Sequence, residues 1–241
     1  MFSLITVRQA MPAVTDADIL NYALTLEHLE DKFYREGLAN FTSGDFTKAG
    51  FSADVYNNIK IVSADEKTHV AFLTSALKAA GAQPVAECVY SFGVTDPKMF
   101  LATASILEGV GISAYLGAAA DIMSKNYLTA AGSILTVEAR HSSYIRAAIG
   151  QVPFPSPFDV PLSLNEVYTL AAPFIVSCPS SNVKLPVKAF PSLTLDPKSP
   201  ANITAGTTIT LLTPTYTLKA ADGSSPIYGA FITVTGPVFV P

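Results

Sequence analysis

Two of the three histidines in this chain follow a glutamate by three positions, in Glu66-Lys-Thr-His69 and Glu138-Ala-Arg-His141. A helix turns about 100° per residue, so this spacing sets a carboxylate and an imidazole side by side on one face. Each pair is a ready couple of metal ligands. Both pairs fall on apolar stripes: Glu66 and His69 share a face with Ile59, Val62, Val70 and Leu73, and Glu138 and His141 with Ile134, Leu135 and Ile145. They are expected to point inward. Two further glutamates complete the set. Glu27 is followed seven residues later by Tyr34, and Glu108, set among Leu101, Ala104 and Ile112, is followed seven residues later by Tyr115. That interval is close to two helical turns, so each tyrosine shares its glutamate's face and can hydrogen-bond a ligand from behind.

Four buried carboxylates repel one another, and burying even one ionised group without a partner costs many kcal/mol. Two divalent cations remove the problem. Four charges of −1 against two of +2 give neutrality with both imidazoles uncharged. The expected ligands are Glu27, Glu66, His69, Glu108, Glu138 and His141, with Tyr34 and Tyr115 behind them. Mostly hard oxygen donors, one imidazole per metal and no thiolate fit iron or manganese, and zinc could also occupy the site. A glutamate from each of two helices plus Glu-x-x-His from two others is the ligand pattern of ferritin-like dimetal bundles. Glu30 lies on the face of Glu27 and could replace it, although the tyrosine spacing favours Glu27. His28 lies off that face and is expected at the surface.

Four long helices must carry these groups. The first is expected over residues 16–38, opened by a capping box of Thr15 and Asp18 and closed by the turn residues from Asn40 to Gly44. The second spans about 53–80 and stops at Gly81, the third about 96–124 with Pro97 at its first position, and the fourth about 127–149 before Gly150. The glutamate, tyrosine and Glu-x-x-His order occurs twice, which suggests a pseudo-twofold bundle. A short fifth helix opens with the capping box Ser163-Leu-Asn-Glu166 and breaks at Pro173. Beyond Cys178 the pattern changes to short alternating runs at 189–195, 207–212 and 228–234, read as three or four strands. The expected organisation is a mainly α bundle over residues 1–176 and a small β module over 177–241.

Composition narrows the partners. Charged residues make up only 14% and the net charge is −4, with no basic cluster to neutralise phosphates, so nucleic acid is not an expected partner. The stretch 99–120 is long enough to cross a bilayer, but Glu108 at its middle and many small residues suit a helix buried in protein. Cys88 and Cys178, the only cysteines, both sit in irregular segments and are expected to form a disulfide, as extracellular proteins use such staples. Acceptor sequons at Asn40-Phe-Thr42 and Asn202-Ile-Thr204 agree with a secreted glycoprotein. No leader is visible in the opening Met-Phe-Ser-Leu-Ile-Thr-Val-Arg, so a secreted form requires one that has been removed.

Several stretches carry a resemblance. Glu108-Gly-Val-Gly-Ile-Ser-Ala-Tyr115-Leu-Gly-Ala-Ala, Val137-Glu-Ala-Arg-His141 and Pro173-Phe-Ile-Val-Ser-Cys178-Pro resemble the ferritin-like-domain proteins of fungi and plants described as stress-response or desiccation-related. The resemblance covers about residues 15–240. It implies a ferritin-like four-helix bundle, secretion and a role in stress protection, while the family's activity is poorly defined. An oxidase, peroxidase or manganese-catalase-like enzyme is one expectation, without an assigned catalytic residue. The other is a non-catalytic structural, protective or interaction protein with a structural or vestigial metal, joined to a second copy or a cell-wall partner through the β module. A storage cage is not expected, because the β tail would have to fit at every subunit contact.

Overall fold

The structure, a computed structural model, describes residues 14–240 apart from 205 and 221. The opening segment, on which the reading of an absent leader rests, lies outside them. Helix α1 (Asp16–Asn40) begins at the capping box of Thr15 and Asp18, where each side chain satisfies the other's backbone amide. Helix α3 (Ala53–Ala79) is capped by Ser52, and α4 (Pro97–Ala118) by the Asp96 carboxylate, which accepts from the amides of Lys98 and Met99. Helix α5 (Lys125–Ala148) is capped by Ser124, and α6 (Leu164–Ala171) by the Ser163 and Glu166 box. Gly81 (φ +72°) and Gly150 (φ +77°) take the left-handed conformation that ends α3 and α5.

Helix α2 (Ser43–Lys48) was not expected. The residues read as a turn form a helix with its own box of Thr42 and Asp45, and Phe46 fixes it by burying completely beside Phe51 and Tyr56. Too short to show a period, it was visible only in its cap.

Helix α1 packs chiefly on α3, α4 chiefly on α5, and the two pairs meet through α1 and α4. Ile19 clusters with Ala118 at one end, while Phe33 stacks on Phe100 with ring centroids 4.9 Å apart at the other, so α1 and α4 run antiparallel. Tyr34, Phe41 and Phe46 add their rings around Phe100. Each such buried aromatic contributes roughly 2–3 kcal/mol by leaving water, so that end of the bundle is firmly plugged. The far end is built from smaller side chains.

Strand β1 (Val89–Tyr90) pairs antiparallel with β2 (Ile175–Ser177), and the Cys88–Cys178 disulfide lies beside this ladder. The expected staple therefore exists, and it holds the segment after α3 to the segment after α6. The expected division at residue 177 falls within β2, whose partner lies back in the helical part. Beyond it, β3 (Thr194–Leu195) pairs with β4 (Leu211–Leu212), and β5 (Gly229–Thr233) with β6 (Gly236–Val240). The strands expected at 189–195 and 207–212 shrink to two residues each, and β6 follows β5 through a tight turn at Val234 and Thr235, with Gly236 (φ +108°) opening β6. Asn40 and Asn202 are both exposed. Helix α4 with the turn after it, Pro97–Asp121, is long and apolar enough to cross a membrane, but half of that segment is buried against the rest of the bundle.

Candidate metal centre

The two Glu-x-x-His pairs face each other across the bundle. The imidazoles of His69 on α3 and His141 on α5 lie with centroids 6.5 Å apart. His69 Nδ1 is 3.2 Å from Glu27 Oε2, 3.2 Å from Glu66 Oε2 and 3.5 Å from Glu138 Oε1. His141 Nδ1 is 3.0 Å from Glu66 Oε1 and 3.3 Å from Glu108 Oε2. Two quartets result, Glu27, Glu66, His69 and Glu138, and Glu66, Glu108, Glu138 and His141, each with its donor atoms within 4.8 Å of one another. All six residues predicted from sequence converge. Glu66 and Glu138 belong to both quartets, and the other four belong to one each.

Donors at these distances can be aimed at one another or at something between them. Glu66 Oε1, Glu108 Oε2, both Glu138 oxygens and His141 Nδ1 are buried with no hydrogen-bond partner among the described residues. Each such orphan costs about 1–3 kcal/mol. His141 Nδ1 approaches Glu66 and Glu108 within 3.0–3.3 Å without hydrogen-bond geometry, so these donors are close enough to share one cation. The donor set therefore fits a metal ion.

Without a metal, protons must take its place. Burial drives Glu66, Glu108 and Glu138 above the usual carboxylate range, with the neighbouring imidazoles opposing it. For His69 burial favours the neutral ring, but contacts with Glu138, Glu27 and Glu66 outweigh it and push the imidazole up to about 12. His141 is likewise pulled down by burial and pushed up by Glu108 and Glu66 to about 11. The cluster thus attracts positive charge of any kind, and a cation that binds must displace protons.

The groups behind the ligands are crossed. Tyr34 on α1 donates to Glu108 on α4, and Tyr115 on α4 donates to Glu27 on α1, the latter at 2.5 Å. Sequence spacing placed each tyrosine on its own glutamate's face, and the antiparallel packing hands each to the other helix. Burial and the adjoining carboxylates raise both phenols well above their ordinary range, so they stay neutral donors.

Asp65 was missed. Its carboxylate lies 3.1 Å from Nε2 of His141, and accepting that ring proton leaves Nδ1 bare for a metal. The only signal was its place beside Glu66, one position off the inward face. The pseudo-twofold breaks here, since the position preceding Glu138 is Val137.

It breaks again at Glu30, which is buried beside the cluster but joins neither quartet, whereas Glu27 joins one. A Cβ on Gly111 would meet Glu138 Oε2 at 2.7 Å and Glu30 Oε1 at 3.2 Å, so this glycine makes room for both carboxylates. Burial, then Glu138, Glu66, Glu27 and Glu108, raise Glu30 well above the usual range, which favours its protonated form. His28 is not at the surface as expected: it is half-buried, its Nε2 lies 3.2 Å from the Val85 carbonyl, and burial lowers its pKa.

Residues 15–151, the helices that hold every one of these donors, match the ferritin-like domain family. The chain belongs to that family. Among curated proteins it is similar to Protein rds1 of Schizosaccharomyces pombe, 28% identical over 207 residues, which cover 86% of this chain and 51% of that protein. The chain therefore spans about half the length of the curated relative it matches. In a ferritin-like bundle the centre formed by four helices is where metals are held by inward side chains, and the buried carboxylates and histidines of this chain could hold a metal ion there.

Proposed function

We propose that this ferritin-like protein binds two iron or manganese ions, with Glu27 and His69 holding one, Glu108 and His141 the other, and Glu66 and Glu138 shared between them. The observation that carries this reading is the overlap of the two quartets at Glu66 and Glu138. Bound iron or manganese would supply redox chemistry toward dioxygen or peroxide, which zinc would not. The protein's own contribution is to exclude water from a pocket walled by apolar side chains, to fix the imidazole tautomer through Asp65, and to hold Glu27 and Glu108 through the crossed tyrosines. The same proposal places the protein outside the cell, with the disulfide and exposed Asn40 and Asn202 as support, in a stress-protective role that rests on the family resemblance. The β module would join it to a second copy or to a cell-wall component.

The deciding experiment is elemental analysis of protein from its source, followed by oxidase, peroxidase and catalase assays on wild type, Glu66→Ala, Glu27→Gln and Glu30→Gln. Two metals per chain, lost in Glu66→Ala, reduced in Glu27→Gln and retained in Glu30→Gln, with turnover following metal content, is the expected result. Equal turnover in wild type and Glu66→Ala overturns the enzymatic reading. Metal loss with a large drop in melting temperature but no turnover in any form would leave the metal a structural role.

A further inference from the structure

Stacked directly on the ligand layer is a cavity of about 30 Å³, on the side of the bundle away from the Phe100 plug. Its walls come from each of the four long helices. Ala23 lies four residues before Glu27, Leu73 four after His69, and Ile134 four before Glu138, while Tyr115 is itself the donor to Glu27. Four residues is about one helical turn, so the hollow and the metal site are adjoining layers of the same core. Ala114 and Ala118 on α4 leave the space open where α4's other end is filled by Phe100.

The lining decides what can occupy it. The walls are aliphatic or aromatic: of the three tyrosines among them Tyr115 has its hydroxyl committed to Glu27, Tyr22 is buried and Tyr127 half-buried, and almost none of the surface facing the hollow is polar. A buried water needs about two to four polar partners, which so apolar a lining supplies poorly. The hollow is therefore poor at holding water, and equally poor at holding hydrogen peroxide, which must surrender its own hydrogen bonds to enter. At about 30 Å³ the hollow is well below the roughly 150 Å³ of an apolar cavity that takes benzene, so its volume suits a small gas molecule. On the outer side, Phe72 of α3, 44% exposed, and the half-buried Ala130 and Ala131 of α5 form the rim. At this seam α3 and α5 pack on each other far more sparsely than α1 on α3 or α4 on α5.

We infer that this cavity is a holding site for dioxygen, entered between α3 and α5 past Phe72, and that dioxygen rather than peroxide is the oxidant delivered to the metal layer. The inference deepens the proposed function and rests on it for its consequence, but the binding of a small apolar gas does not. Xenon, which enters dry apolar cavities, is the probe. Crystals of the metal-free protein under xenon pressure are expected to show one xenon between Leu73, Tyr115 and Ile134, and Ala131→Phe, which fills the rim, is expected to abolish it. Ala118→Leu fills the same space from α4 and serves if the first variant does not fold. In reduced, metal-loaded protein the filled variants are expected to consume dioxygen several-fold more slowly and to react with hydrogen peroxide at the wild-type rate. No xenon in the wild-type cavity, or measurable dioxygen consumption at equal rates in wild type and filled variants, overturns the inference. Xenon bound with no dioxygen consumption by loaded wild type would support the gas site and overturn the proposed function.

Discussion

Asp65 separates the two imidazoles in kind. His141 has a carboxylate on its outer nitrogen, at 3.1 Å, and the place that would serve His69 in the same way is taken by Val137. Because the Asp65 side chain is 45% exposed, Asp65→Asn should fold normally. It is expected to weaken metal binding through His141 by about 10–100-fold, read as a loss of overall affinity by isothermal calorimetry. A second expectation concerns pH. Glu66, Glu108 and Glu138 are raised from about 4.5 by burial, and His69 and His141 from 6.5 to about 12 and about 11. In both cases the folded state holds protons more tightly than the unfolded one, so the stabilisation is complete below the ordinary values and drains away as pH rises toward the folded ones. The melting temperature of metal-free protein should therefore fall from about pH 5 to about pH 9, and the gap to loaded protein should widen as metal replaces protons. A flat metal-free profile would mean that the cluster does not hold protons in the metal's place.

Among the elements, the long helices and their inward faces were legible because apolar periodicity and end signals agree: Thr15, Asp96 and Ser163 cap, and Gly81 and Gly150 terminate. Four of the six donors were legible because i, i+3 spacing is a property of one helix, and Glu27 and Glu108 because each stands seven residues before a tyrosine. What crosses between helices was not. The handing of Tyr34 to Glu108 and of Tyr115 to Glu27, and the reach of Asp65 to His141, depend on packing that spacing alone does not state. Helix α2 escaped because six residues cannot display a period, and the two-residue strands because their pairing is set by partners far along the chain. Since the donors come from α1, α3, α4 and α5, a bound ion ties together helix pairs that otherwise meet mainly through α1 and α4. At a thousandfold excess over its dissociation constant each ion adds about 4 kcal/mol. Chelation should thus lower the melting temperature by roughly 10 °C or more, measured by circular dichroism at constant pH. A change of a degree or two would mean that the ions bind without bracing the bundle.

For the whole molecule, the decisive covalent link is Cys88–Cys178, which joins positions 90 residues apart. A loop of that length restrains the unfolded chain by about 4–5 kcal/mol. Reduction is expected to cost roughly 10 °C in melting temperature and to release β2 from β1, seen as faster hydrogen exchange at Tyr90 and Ile175 with the helical amides near the metal layer still protected. If the helical amides lose protection equally, the ladder and the bundle are one cooperative unit. The residues after Cys178 form two further two-stranded ladders whose apolar side chains, among them Phe231, Val238 and Phe239, remain exposed. They add little to the core, and removing them should change oligomeric state, read by light scattering, more than the stability of the helices.

Because Glu66 and Glu138 serve both quartets, the first ion of the proposed pair would deprotonate half of the second ion's ligands before that ion appears. Occupancy of the proposed pair would then be nearly all-or-none. Native mass spectrometry during a slow titration should find chains with no ion and chains with two, with those carrying one scarce throughout, so that a cell short of metal would hold a mixture of idle and fully equipped molecules in place of a uniform half-filled population.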